Sequence, residues 1–466
     1  MLNLFNKEKL IKRRKKLAEI VGNGKIILMA NDETPYNYPK NHYKFRQDST
    51  FFYFTGINIP NLKLIIDLEK NKTILYGDDL TEEEIVWVGS QPKMTDLCEK
   101  SGIDEWKPLK EFINDVKIFI TNKQNIHLLP PYRVEHKILL SELFGININN
   151  IKTIVSEKLI KAVIELRSYK DKEEIEYLNN IMDIAYEMHI TAMKMAKSGI
   201  KEQEIYGKIE GIALSYGNGT SFQTILTKNG QILHNLSHKN ILKKGDLLLC
   251  DAGFESEFYY CTDHTRTYAV DGEFSQKQID IYNIVLQAQT EAINSVKPGI
   301  LFKDVHLKAC EVIIEGLKDL KLLIGETQEI LNNGAYTLFF PHGLGHMLGL
   351  DVHDMENLGE EYVGYDEKVK RSDQFGLKFL RFAKELKPGY VLTIEPGIYF
   401  IPELINKFKK ENKYKEFINY QKLEEYLDFG GIRLEDDILV EENGAKILGN
   451  KRIPIKIEEI IEIIKS

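Results

Sequence analysis

Leu247-Leu248-Leu249-Cys250-Asp251-Ala252-Gly253 is an apolar run that ends on a carboxylate, and Tyr259-Tyr260-Cys261-Thr262-Asp263 soon brings a second one. The run has the length and content of a buried strand. A hairpin turning at Glu257 would set Asp251 opposite Asp263, with Cβ atoms about 4.5–5.5 Å apart. Two carboxylates that close repel each other unless a proton or a cation intervenes. Taken alone, the pair reads equally well as two surface acids near a turn.

Three further runs change the weight of that pair. His342-Gly343-Leu344-Gly345-His346 is followed by His353, so three imidazoles fall within a short glycine-containing stretch. Glycines allow close backbone approach, and imidazole is a common ligand of divalent metals. Val391-Leu392-Thr393-Ile394-Glu395-Pro396-Gly397 delivers a carboxylate just before a Pro-Gly turn. In Gly430-Gly431-Ile432-Arg433-Leu434-Glu435-Asp436-Asp437, strand period puts Arg433, Glu435 and Asp437 on one face and Ile432, Leu434 and Ile438 on the other.

Together Asp251, Asp263, His346, Glu395 and Glu435 supply four carboxylates and one imidazole. Four buried acids are untenable without cations. Two divalent ions sharing the set would neutralise most of the charge. Oxygen-rich ligation with one nitrogen and no thiolate favours Mn²⁺, with Co²⁺ or Zn²⁺ as substitutes. Such a pair activates a bridging water and clamps a developing oxyanion.

Working outward, the first third reads as mixed α/β. The runs 26–29, 64–66, 73–76 and 116–120 are strand-like, and helices are expected over 94–100 and 134–143. Near residue 165 the pattern changes. Asp171 with Glu174 starts a long helix whose apolar face runs through Leu178, Met182, Ala185 and His189, and Gly199 is placed to stop it. Ser275 with Gln278 opens a second, closed by Pro298-Gly299. Strands over 247–250, 265–270, 391–394 and 432–440 lie among these helices, which suggests an α+β domain, and 407–428 reads as a charged helical insertion.

The 466 residues suffice for several domains, and the acidic balance, 70 Asp and Glu against 62 Lys and Arg, disfavours nucleic acid as a partner. Lys12-Arg13-Arg14-Lys15-Lys16 reads as a solvated helix face. Cys98, Cys250, Cys261 and Cys310 form no dense framework, which fits a reduced, cytoplasmic setting. No signal peptide and no apolar run long enough for a membrane span are evident, so no membrane association is expected.

In their order, LLLCDAG, TDHTRTY, HGLGHMLGLDVHD, GYVLTIEPGIYF and GGIRLEDDILV resemble the creatinase/aminopeptidase P/prolidase group of metallopeptidases, which has the "pita-bread" fold. NHYKFRQDSTFFYFTGIN resembles the N-terminal domain of that group. The resemblance implies an α/β N-terminal domain over 1–165 and an α+β pita-bread catalytic domain over 166–466. It implies that Asp251, Asp263, His346, Glu395 and Glu435 hold two metal ions and that Glu395 also shuttles a proton. His234 and His353 match histidines that contact substrate and steady the tetrahedral intermediate, and His342 and Arg433 match further active-site residues. Phe222 departs from the pattern: some relatives carry a Tyr there, so a hydroxyl near the metals is missing and metal affinity should be tuned.

The implied activity is a Mn-type Xaa-Pro aminopeptidase acting on peptides with proline in second position. The alternative is a Xaa-Pro dipeptidase (prolidase). The run Phe375-Gly376-Leu377-Lys378-Phe379-Leu380-Arg381-Phe382-Ala383 resembles an insertion in prolidases, where an Arg pairs with the free carboxylate of a dipeptide. A guanidinium suits that task because its planar fork can bind a carboxylate bidentately; the plain alternative is a surface arginine on a helix. A non-catalytic binding module on the same fold is a further alternative, disfavoured by the complete ligand set. A methionine aminopeptidase is disfavoured by the N-terminal domain. A homo-oligomer is expected.

Overall fold

Asn6 caps the helix Lys7–Val21 by accepting from Lys9 N, and the helical period then buries Leu10, Arg13, Arg14, Leu17 and Val21 on one face. The computed structural model describes residues 4–466. These divide into two units, one ending at Arg167 and including Asn357–Tyr362, the other formed by Ser168–Glu356 and Val363–Ser466.

In the first unit a mixed sheet runs in the order Glu105–Lys107, Lys72–Tyr76, Lys63–Asp67, Lys25–Met29, Ile126–Leu128, with antiparallel centre pairs and parallel outer pairs. Ile27, Ile65 and Tyr76 pack against Phe112 and Val116 of the helix Leu109–Thr121 and Leu140 of Val134–Phe144. The run 116–120, expected as a strand, therefore lies within a helix. Phe112 and Val116 are buried one turn apart while Ile118 is 53% exposed, so packing of one helical face overrides the β preference of the Ile and Val side chains.

The basic run 12–16 is also not the expected solvated face. Lys12, Lys15 and Lys16 are exposed, but Arg13 and Arg14 are buried. Arg14 donates to Phe54 O at 2.7 Å and Ser101 O at 2.7 Å, and Arg13 donates to Tyr53 O while lying over the Tyr53 ring. The guanidiniums thus satisfy carbonyls at the end of the helix Ser49–Thr55.

The second unit opens on the helix Lys172–Lys194, started by the Asp171–Glu174 capping box. It ends before Gly199, whose φ of +88° serves the turn beyond. Gln276–Ser295 begins with the Ser275–Gln278 box. Two antiparallel sheets carry the acidic runs. One is ordered His264–Ala269, Leu247–Ala252, Ile225–Thr227, and the other Val391–Ile394, Asp436–Glu441, Gly444–Ile447. His189, on the buried face of the first long helix, supports the 247–252 strand through Nε2 and Ala252 O.

Two expectations about register are corrected here. Asp251 pairs with Thr265 and Ala252 with His264, so Asp263 stands two residues from the expected partner. The turn is centred one residue later than Glu257, with Tyr259 at φ +67°, and Gly253 faces Asp263. A Cβ on Gly253 would sit 1.8 Å from Thr262 O, so only glycine lets the strands approach there. Because side chains alternate with period 2, the two-residue offset leaves both acids on one face.

The strand expected over 432–440 is broken. Gly431–Arg433 pairs with Gly397–Tyr399, while Asp436–Glu441 pairs with Val391–Ile394. The partner strand is interrupted at Pro396, which has no N–H to continue a ladder. At the break Leu434 N donates to Pro396 O and Glu435 N to Thr265 O, so the chain crosses from one sheet to the other at Glu435.

All four cysteines are free buried thiols. Among the described residues, no helix is long and apolar enough to cross a membrane.

Candidate active site

A cavity of about 760 Å³ in the second unit is lined by all ten of the residues singled out above: Asp251, Asp263, His346, Glu395, Glu435, His234, His353, His342, Arg433 and Arg381. Phe222, Leu233, Phe375 and Phe379 add an apolar wall. The donors come from four segments of the chain, the first being one hairpin that supplies two of them. Asp251 is the next-to-last residue of its first strand, and Asp263 immediately precedes its second. His346 lies on the glycine loop, and Glu395 and Glu435 stand where the two sheets are interrupted.

The glycine loop runs along the 391–394 strand as an extra edge. Thr393 N donates to His346 O and Glu395 N to Leu344 O. A Cβ on Gly345 would lie 2.0 Å from Thr393 O. His346 Nδ1 lies 3.0 Å from Met347 O, so Nδ1 carries the proton and Nε2 presents a lone pair. That Nε2 is 3.4 Å from Asp263 Oδ2 and 3.7 Å from Glu395 Oε1. One donor atom each from Asp263, His346 and Glu435 fall within 4.8 Å of one another.

Around this triad the acids are fixed from behind. Glu435 Oε2 accepts from Thr265 Oγ1 at 2.7 Å, and Asp263 N donates to Asp437 Oδ2 at 2.9 Å. Arg266, fully buried, donates to Glu435 O and Asp436 Oδ1 and to the carbonyls of Ile453 and Pro454. Arg433 donates to Asp251 Oδ2 at 2.6 Å, Tyr399 Oη at 2.9 Å and Thr265 Oγ1 at 3.1 Å. Tyr399 in turn lies 2.8 Å from His342 Nε2, whose Nδ1 is bonded to Gly343 O. The directions agree: Arg433 donates to the phenol oxygen, and the phenol donates to a neutral imidazole. Burial pushes His342 down to about 3, which keeps it neutral.

Burial, and then the charge of Asp251, hold the Asp263 carboxyl well above the usual carboxylate range. Burial and the neighbouring acids do the same to Glu435, and burial pushes Glu395 up to about 7. Asp251 Oδ1 is buried without a hydrogen-bond partner. Four carboxylates against the single guanidinium of Arg433 are a charge deficit that protons can relieve only in part. An oxygen-rich set with one imidazole lone pair and an orphaned carboxylate oxygen fits divalent cations.

His234 and His353 stand at the rim. The loop carrying His234 is pinned at both ends by the buried Glu202 carboxylate, which accepts from Lys228 N at 2.8 Å and Asn240 N at 3.1 Å. The His353 ring lies 4.1 Å from that of His346, centre to centre, and its Nδ1 is 3.1 Å from Glu356 Oε2. Arg381 is not on a helix: it follows the short turn Leu377–Phe379, and its Nη1 donates to the same Glu356 oxygen at 2.7 Å. Tyr399, Thr265, Glu202, Arg266 and Glu356 were not anticipated. Tyr399 lies in the run GYVLTIEPGIYF, and Thr265 and Arg266 lie two and three residues after Asp263, but Glu202 and Glu356 carry no local signal because their partners are set by tertiary packing.

Residues 176–442 match "Metallopeptidase family M24", and residues 10–128 match "Aminopeptidase P, N-terminal domain". The chain is 29% identical to the Xaa-Pro dipeptidase of Homo sapiens, over 98% of this chain and 92% of that protein. It is 31% identical to a probable Xaa-Pro aminopeptidase of Fusarium vanettenii, over 86% and 83%. Among solved structures, zinc-substituted Escherichia coli aminopeptidase P in complex with product aligns with a TM-score of 0.80 at 27% identity, covering 98% of both chains. A family match over more than half of the chain, on a fold that gathers these donors in one cavity, has a single reading: this chain belongs to metallopeptidase family M24 and is a metallo-exopeptidase with an aminopeptidase P-type N-terminal domain.

Proposed function

We propose that the protein is a Xaa-Pro aminopeptidase, hydrolysing the bond between an N-terminal residue and a following proline. The observation that carries this is the buried donor cluster of Asp251, Asp263, His346, Glu395 and Glu435 at the floor of a cavity large enough for a short peptide. In this reading the five residues hold two divalent ions, of which Mn²⁺ suits the oxygen-rich set best. When bound, the ions supply Lewis acidity to water and to the scissile carbonyl.

The chain's own groups do the rest. Glu395, a carboxylate at the cavity floor, can take a proton from the attacking water and return it to the departing proline nitrogen. His234 and His353 bind the substrate from the rim. His342, kept neutral, and Arg433 hold Tyr399 and Asp251 in place. The apolar wall of Phe222, Leu233, Phe375 and Phe379 excludes water and accepts an apolar ring or side chain. Because proline's amide lacks an N–H, a site that asks no donor of that nitrogen can accept it.

A second reading, Xaa-Pro dipeptidase, is favoured by one observation: Arg381 lines the same cavity, where it could receive a dipeptide's free carboxylate. The relatives bear both names. The experiment that tests the reading compares Mn-loaded enzyme on a Xaa-Pro dipeptide, a Xaa-Pro tripeptide and the same peptides with Ala replacing Pro. Cleavage of the proline peptides alone supports the proposal, and preference for the dipeptide selects the second reading. Equal cleavage of the alanine peptides, or full activity in a chelated sample shown metal-free by elemental analysis, would overturn it.

A further inference from the structure

We propose that Glu356 is a positioning residue that governs how well the site accepts a dipeptide, by holding Arg381 and His353 at the cavity wall through one carboxylate oxygen. The inference rests on the reading of Arg381 as the anchor of a substrate carboxylate. Glu356 Oε2 accepts from Arg381 Nη1 at 2.7 Å and lies 3.1 Å from His353 Nδ1. Arg381 and His353 both line the cavity, whereas Glu356 does not. It stands behind them and acts through them.

Three features support a positioning role over a purely structural one. First, Glu356 Oε1 is buried without a hydrogen-bond partner, a cost that a residue kept only for stability would not carry. Second, the preceding residue, Met355, is held at φ +67° and fully buried. A side chain of that kind persists in the left-handed region only where its surroundings over-determine it, and such positions cluster at functional sites. Third, the shared oxygen couples two tasks. A proton on His353 Nδ1, donated to Glu356, leaves Nε2 as the ring atom with a lone pair. The long Arg381 side chain, anchored before the substrate arrives, loses less freedom on binding.

The role is specific to substrate length. A dipeptide ends in a carboxylate within reach of the anchored guanidinium, whereas a longer peptide presents a neutral amide at that place. Loss of the anchor should therefore act on the dipeptide first.

The test is the ratio of kcat/KM for a Xaa-Pro dipeptide to that for a Xaa-Pro tripeptide, measured for Glu356→Ala, Glu356→Gln, Arg381→Ala and the Glu356→Ala/Arg381→Ala double variant, all metal-loaded. Glu356→Ala should lower the ratio about tenfold or more, chiefly through KM for the dipeptide. Glu356→Gln should hold the ratio within about threefold, because its amide oxygen can replace Oε2 while the amide nitrogen takes the place of the unpartnered Oε1. In the Arg381→Ala background, Glu356→Ala should not change the ratio further. If Glu356→Ala is too unstable to assay, Glu356→Asp, which withdraws the carboxylate by one methylene, should lower the ratio in its place. A ratio lowered by Arg381→Ala but unchanged by the Ala or Asp variant of Glu356 overturns this inference alone. A ratio unchanged by Arg381→Ala overturns the carboxylate reading and this inference with it.

Discussion

Arg433 Nη2 stands 2.6 Å from Asp251 Oδ2, while the same guanidinium reaches the Tyr399 hydroxyl and Thr265 Oγ1. One planar fork thereby spaces an acid of the hairpin against the phenol that holds His342. A lysine carries the charge but cannot make three bonds in one plane. Arg433→Lys should therefore lose most activity although it keeps the charge. Arg433→Met should in addition lower stability by about 3–5 kcal/mol, the usual cost of leaving a buried charge unpaired. Steady-state kinetics and thermal unfolding of the two variants check this.

Glu395→Gln keeps the shape of the side chain but removes a charge and the group proposed to move the proton. Turnover should nearly vanish while the far-UV spectrum stays that of the parent. Retention of more than about a tenth of kcat, a loss of only ~1.4 kcal/mol of barrier, would contradict that role.

Arg381→Ala should impair dipeptide hydrolysis, mainly through KM, far more than hydrolysis of longer peptides. A charge-assisted hydrogen bond of ~1.5–3 kcal/mol corresponds to roughly ten- to more than hundredfold. Equal and small effects on both substrates would return Arg381 to a structural role and favour the aminopeptidase reading.

Gly345→Ala would place a methyl 2.0 Å from Thr393 O, so the loop must lift from its strand. The bond from Thr393 N to His346 O would open. A loss of about 1–3 kcal/mol is expected, together with a fall in activity because His346 moves. An unchanged melting temperature would show that the loop does not need this close approach.

Burial holds His306 and His189 neutral, pushed down to about 3 and about 4 from the ordinary 6.5. Between those limits the unfolded chain binds protons that the folded chain refuses, so stability rises with pH. Stability should be flat with respect to these groups above pH 6.5 and fall as pH drops below it, by up to about 1.4 kcal/mol per pH unit for each histidine. Urea unfolding at pH 7 and pH 5 measures the slope. His306→Leu should make it shallower, and an identical slope would show that His306 does not titrate between the two states.

What was legible in the sequence was whatever is encoded locally. The capping boxes Asp171–Glu174 and Ser275–Gln278 depend on residues three apart, and both form as expected. The carboxylates at strand ends were visible because the apolar runs before them are short and bounded. Less legible was anything decided by a distant partner. Val116 and its neighbours have strand-like content, and only their packing against Ile27, Ile65 and Tyr76 makes them helical. The break at Leu434–Glu435 follows from Pro396 on the facing strand, which no window around residue 434 contains. Glu356 reads as an acid in a loop until Arg381, 25 residues on, is placed beside it.

The bonds behind the acids join residues very far apart in the chain. Thr265 and Glu435 are separated by 170 positions, Asp263 and Asp437 by 174, Asp251 and Arg433 by 182, and Arg266 and Pro454 by 188. Closing loops of that length costs entropy that no local contact returns, so such pairings form late and slowly. Helices with strong start signals can form long before the cavity floor exists. On refolding, helical signal should therefore recover ahead of the competence to cleave peptide, and the site should be among the last parts of the molecule to be completed.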